Sequence, residues 1–184
     1  MDELNRLEEL LVFILDRAQK EKIRNLSRFQ MLKIPYLIQI YSLKFAGTPF
    51  LSDITFIREK NGPISVDIYQ ALERLSESEF ISVTEEPNET YGHPRHSHSL
   101  LKAPDHFSFS QGETIFLDNF VAKLLPLTQK ELKKIAYETE PMKVIQAEEE
   151  EADGIKKGAV IDFNSVSVDP DVMETYSDED VEDE

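Results

Sequence analysis

Between residues 3 and 20 the apolar positions Leu4, Leu7, Leu11, Ile14 and Leu15 recur at helical spacing, with Glu8, Glu9, Asp16, Arg17 and Lys20 on the other side. This pattern predicts an amphipathic helix, and acids early with bases late suit its dipole. Ser27 precedes a second stripe, Phe29, Leu32, Tyr36, Ile40 and Leu43, widened by Leu37 and Tyr41. A serine at that place can cap the helix through its hydroxyl. Pro35 falls inside the stripe; it lacks an N–H and crowds the preceding turn, so a kink or a restart near Ile34 is expected. Gly47, with Pro49 beyond it, supplies the stop.

Residues 55–58 alternate β-branched and aromatic side chains and read as a short strand. Asn61, Gly62 and Pro63 follow as a structural turn, because glycine tolerates positive φ and proline biases the residue before it toward extended conformations. Ser65 is placed to cap a third helix whose Ile68, Leu72 and Leu75 face inward and whose Asp67, Glu73 and Arg74 face out. Residues 80–84 and 97–102 read as two strands joined by residues 85–96, rich in Pro, Asn, Gly and His and too long for a tight hairpin. Helices are then predicted over 111–125 and from Thr128, with Glu131 at the capping-box position, followed by a short helical piece over 142–147 and an acidic segment over 148–153. The resulting class is mainly α with a small β-hairpin (α+β), in which helix, helix, hairpin follows a winged-helix outline.

Charge divides the chain. The 184 residues carry a net charge of −16. Residues 1–147 hold 18 Lys+Arg against 21 Asp+Glu, a net of −3, while residues 148–184 hold 2 against 15, a net of −13. The expected organisation is therefore one domain over 1–147 and an acidic C-terminal tail over 148–184. Within that tail, an extended strip near 158–166 is expected to dock back on the body, and disorder is expected from about residue 169. No dense basic stripe is present, which disfavours nucleic acid as a partner. There are no cysteines, acidic residues stand where a signal peptide would carry basic ones, and no apolar run is long enough to span a membrane. A cytoplasmic protein without membrane attachment is the simplest reading.

Candidate chemistry is sparse. No phosphate-binding loop, zinc-protease helix or nucleophile elbow occurs, and six glycines give a phosphate cradle little to be built from. No enzyme activity and no cofactor are expected. His93, His96 and His98 are the one metal-like cluster, but no cysteine or matched carboxylate accompanies them, so a solvated loop and no metal is the expectation. Tyrosine combines an apolar ring with a wet hydroxyl, which makes Tyr36, Tyr41 and Tyr69 the candidate partner contacts.

Several segments in order resemble one family. Residues 33–41 (Lys-Ile-Pro-Tyr-Leu-Ile-Gln-Ile-Tyr), the turn Gly47-Thr48-Pro49-Phe50, residues 56–63 ending in Asn-Gly-Pro, and Val66-Asp67-Ile68-Tyr69-Gln70-Ala71-Leu72 are similar to the opening helix, turn, Gly-Pro strand and following helix of the SocA-like antitoxin family, or Panacea domain (DUF4065). Residues 132–142 resemble a later segment of that family. The resemblance implies a non-enzymatic antitoxin of a toxin–antitoxin system, found on chromosomes, prophages and other mobile elements, which binds a cognate toxin encoded nearby. In some relatives the antitoxin also delivers the toxin to a protease. The rival reading is a winged-helix DNA-binding transcriptional regulator. It requires bases on the third helix and the wing, where the sequence offers Arg74 and Arg95 against Asp67, Glu73, Glu85, Glu86 and Glu89.

Overall fold

The first helix, α1 (Arg6–Lys20), starts at a capping box in which the Asn5 side chain accepts from the Glu8 amide and the Glu8 carboxylate accepts from the Asn5 amide. In the computed structural model, which describes residues 4–88 and 92–169, every residue from Leu10 to Leu15 is at most 2% exposed. The apolar stripe of α1 is thus only part of what it buries. Other elements enclose this helix on several sides, and it forms the centre of the core.

A two-residue strand, β1 (Leu26–Ser27), leads into α2 (Arg28–Ala46), where Ser27 and Gln30 form a second capping box. The helix runs unbroken through Pro35. A proline in that position costs about 3 kcal/mol in an isolated helix. Here Met31, Ile34, Tyr36, Leu37 and Ile38 are all 0% exposed, and their burial outweighs the lost hydrogen bond, so the restart near Ile34 does not occur. Gly47 ends the helix in the left-handed conformation, with φ +68°.

The Gly-Pro segment is more than a turn. β2 (Ile57–Glu59) and β3 (Gly62–Ile64) form an antiparallel hairpin with Glu59 opposite Gly62, so the loop is Lys60-Asn61 while Gly62 and Pro63 belong to the second strand. Gly62 carries φ +93°, which a glycine accepts without strain. α3 (Val66–Glu77) follows. Ser65 precedes it but makes no side-chain cap; its hydroxyl donates to Asp67, whose carboxylate also accepts the Thr55 amide.

β4 (Ile81–Glu86) and β5 (Arg95–Leu100) pair in register from Ile81–Leu100 to Glu86–Arg95. β1 joins the far side of β5, giving the sheet order β1-β5-β4 in place of a two-stranded hairpin. The succession α1, β1, α2, α3, β4, β5 is a winged-helix arrangement with the β2–β3 hairpin inserted between its second and third helices. α4 (Gln111–Leu124) and α5 (Gln129–Glu138) each open with a capping box, from Ser110 with Glu113 and Thr128 with Glu131. α4 packs on α1 and α2, and α5 packs on α2 and β3.

α6 (Glu140–Ala152) continues through the acidic run, so a boundary drawn at residue 147 falls inside a helix. Beyond it the chain turns back along the hairpin. The Arg58 amide donates to the Ala159 carbonyl (2.8 Å), the Gly158 amide to the Arg58 carbonyl (2.7 Å), and the Ile161 amide to the Phe56 carbonyl (2.9 Å). Ile161 is 3% exposed, and the Asp169 amide donates to the Lys44 carbonyl. The tail beyond residue 169, where disorder is the expectation, lies outside the described residues.

Candidate partner-binding site

The three candidate tyrosines occupy three different environments. Tyr36 is 0% exposed: its hydroxyl shares a 2.7 Å hydrogen bond with Thr139 Oγ1, and its ring meets Phe56 edge-on at 5.3 Å. Burial holds its ionisation well above the ordinary tyrosine range. The folded surface does not present this side chain, which ties α2 to the start of α6. Tyr41 is half-buried and stacks on Phe120 at 4.5 Å, in a row that includes Phe45. Tyr69 is 36% exposed, with the Arg28 guanidinium 5.5 Å from its ring centre.

Tyr69 lies in a groove of about 600 Å³ between α3 and the β4–β5 wing. Ile81 and Val83 share one face of β4; Ile81, at the α3 end, is 1% exposed, and Val83, farther out along the wing, is 39% exposed and lines this groove. Glu73 and Glu77 rise from α3 on one side and Glu85 from the wing on the other. Arg28 lines the groove, and its Nε is buried with no hydrogen-bond partner. An apolar strip and an acidic rim suit a partner surface that carries basic side chains around an apolar or aromatic anchor, and the Arg28 Nε–H calls for an acceptor on that anchor. The same acids oppose phosphate contact. The one basic residue of α3, Arg74, is held by Glu8 at 2.6 Å.

A second polar constellation surrounds the hairpin. Lys33 is 1% exposed; its ammonium donates to the Pro63 carbonyl at 2.5 Å and sits 5.0 Å from the Phe29 ring centre. Burial, reinforced by the charges of Lys133 and Arg58, lowers its pKa from 10.5 to about 7. Arg58 is 3% exposed and binds both oxygens of Glu149, at 2.8 and 3.1 Å, while donating to the Tyr137 hydroxyl at 2.8 Å and to the Glu59 carbonyl. Burial alone would depress the guanidinium; the bonds to Glu149 and Tyr137 outweigh it and raise its pKa. Reciprocally, the Arg58 bond lowers the Glu149 carboxyl. The Tyr137 ring covers Gly62 so closely that an added Cβ there would stand 2.9 Å from it.

A family model described as antitoxin SocA-like, Panacea domain, matches residues 31–141. The chain belongs to this family. No curated protein and no solved structure matches it. The Panacea match contains nearly all of α2, the hairpin, α3, the wing, α4 and α5, and with them Tyr36, Tyr41, Tyr69, Lys33 and Arg58. It leaves out α1, β1, most of α6 and the strip over 158–161 that lies along β2. The groove's lining residues lie within the matched region except Arg28, which stands just before it.

The histidines of this Panacea protein do not converge. His98 is 1% exposed, with Nδ1 3.4 Å from the Leu26 carbonyl, and burial lowers its pKa from 6.5 to about 4. His96 stands 4.0 Å from Glu85, and His93 is exposed. Among the described residues no group of three or more His, Cys, Asp or Glu side chains is arranged to hold a metal ion, and no helix is long and apolar enough to cross a membrane. Lys33, Arg58 and Arg28 are the residues that side-chain type conceals: a lysine or arginine ordinarily reads as solvated. The one available signal was Lys33 itself, a charge between apolar positions of α2 in the segment that resembles the family's opening helix.

Proposed function

We propose that this antitoxin acts in the cytoplasm by binding a cognate toxin encoded beside it, with the groove between α3 and the β4–β5 wing as its principal contact face. The observation that carries this reading is the half-exposed Tyr69, backed by Arg28 and rimmed by Glu73, Glu77 and Glu85, on a domain of an antitoxin family. Neutralisation is stoichiometric occlusion: the Tyr69 ring and Val83 supply buried apolar contact, and the acidic rim selects a basic toxin surface. The bound toxin can then be presented to a protease, with the antitoxin as adaptor.

The test is co-expression with the product of the adjacent reading frame. That product is expected to arrest growth alone, to be neutralised by this protein and to co-purify with it. Tyr69→Ala should weaken the complex by roughly tenfold or more while leaving the fold intact, because the side chain is partly exposed. A neighbour that is toxic, is not rescued and does not co-purify refutes the reading. Loss of toxin that requires both this protein and a host protease tests the adaptor role.

A further inference from the structure

We propose that the outer edge of β2 is a second docking site for the toxin, one that accepts an extended toxin segment, and that residues 158–163 are a resident competitor which the segment displaces. This inference rests on the toxin-binding reading and concerns a different surface. An edge strand offers unpaired backbone donors and acceptors, and extended peptides commonly bind by adding a strand to such an edge. β3 satisfies one side of β2; on the other side, among the described residues, the strip satisfies the Phe56 carbonyl and both backbone groups of Arg58. The family match includes β2 and ends at residue 141, before the segment that covers it.

The strip also shows what the edge accepts. Ile161, 3% exposed, enters the core, and two residues on Phe163 meets Phe56 edge-on at 5.8 Å and Tyr36 at 6.0 Å. Phe163 opens a short 3-10 turn, Phe163–Ser165, at which the extended strip ends. A toxin segment with an apolar residue followed, two positions later, by an aromatic one reproduces these contacts. Every residue from 151 to 158 is exposed, and Asp153 and Gly158 both adopt positive φ; the Lys156 amide and ammonium donate to Glu149 and Glu148 and Lys157 pairs with Glu59 at 3.6 Å, so exposed polar contacts join the strip to α6.

A reversible lock tests the proposal on the full chain. Ile57 and Val160 face each other across the strip, flanked by the Arg58–Ala159 and Ile161–Phe56 hydrogen bonds, and therefore form the closely spaced type of antiparallel pair. That spacing suits a disulfide, Val160 is 67% exposed, and the chain has no cysteine of its own. In the Ile57→Cys/Val160→Cys variant, oxidation should slow binding of the purified neighbouring gene product at least tenfold, and reduction should restore it. Equal binding in the two states overturns the proposal. Ile161→Ala, which weakens the strip, should tighten the complex by at least about tenfold, given the usual cost of a buried Ile→Ala change; unchanged or weaker binding overturns it. If the lock binds normally while Tyr69→Ala does not, the groove reading stands and the strand-displacement inference falls. If the unsubstituted chain fails to bind, both fall.

Discussion

Lys33 makes the stability of this protein depend on pH in a window where few other groups titrate. In an unfolded chain its amine has a pKa of 10.5, and in the fold about 7. Between those values the unfolded chain holds a proton that the folded protein has shed. Stability therefore rises with pH from about 7 toward 10.5, and the full cost of burying the charge is present below pH 7. Each unit of difference corresponds to about 1.4 kcal/mol, so the whole window is worth at most roughly 5 kcal/mol. Lys33→Met keeps the aliphatic volume and removes the titration. It also leaves the Pro63 carbonyl without its donor, a cost of about 1–3 kcal/mol, so the stability difference at any one pH decides nothing. The slope does. Urea unfolding of both proteins at intervals between about pH 6.5 and 9.5, with m-values compared, should show the unsubstituted protein gaining up to about 1.4 kcal/mol per pH unit relative to the variant. Tyr36, held above the ordinary tyrosine range, acts only at higher pH. Parallel pH profiles for the two proteins would refute the account of Lys33 as a buried charge.

Gly62→Ala should destabilise the fold by about 2–4 kcal/mol in thermal or urea unfolding, since it combines a positive φ with a Cβ 2.9 Å from the Tyr137 ring; a change under about 0.5 kcal/mol contradicts the packing described. His98 works at the acid end. Its folded pKa of about 4 lies below its free value of 6.5, so the unfolded chain binds the extra proton between them and stability is lost as pH falls through that range. His98→Leu should remove up to about 3 kcal/mol of that acid loss relative to the unsubstituted protein, and identical acid unfolding curves would count against it. Residues 170–184 carry eight acidic and no basic side chains. Removing them, with the strip over 158–161 retained, should slow toxin association at low salt and flatten its salt dependence; an unchanged association rate means the tail does not steer the encounter.

What could be read from the sequence follows the range of the interactions concerned. The helices over α1, α2, α4 and α5 are set by local periodicity, and Ser27 with Gln30, Ser110 with Glu113 and Thr128 with Glu131 mark their starts within four residues. β1 has no such signal, because two residues become a strand only by pairing with β5 some seventy positions later. β5 itself (Arg-His-Ser-His-Ser-Leu) has almost no apolar alternation, so the inward turn of His98 had no hydrophobic mark. The helix does not restart near Ile34 because the local cost of Pro35 is outweighed by burial on both sides of it. Ser65 misled because its hydroxyl found Asp67 instead of a helix amide. Of the three candidate tyrosines, helical spacing alone could not separate Tyr36, which the core encloses, from Tyr69, which the groove exposes. Nothing in the sequence separates Arg28, at the groove, from a solvated charge.

The hairpin shows why polar groups stand where apolar ones would cost less. β2 and β3 are three residues each, too short to hold their own register, since an isolated two-stranded hairpin is marginal at best. Apolar contacts alone would let such a hairpin slide on α2. The bond from Lys33 to one carbonyl fixes β3 against α2, and the fork from Arg58 to Glu149 fixes β2 against α6, with Tyr137 closing on Gly62 between them. These bonds have one geometry each, so the edge of β2 is presented in a single position to whatever pairs with it. A neutral amine still donates, and the Lys33–Pro63 bond therefore survives deprotonation while the cost of the buried charge does not. The clamp is the same on both sides of pH 7, and the pH slope isolates the burial of the charge from the bond that the charge was buried to make.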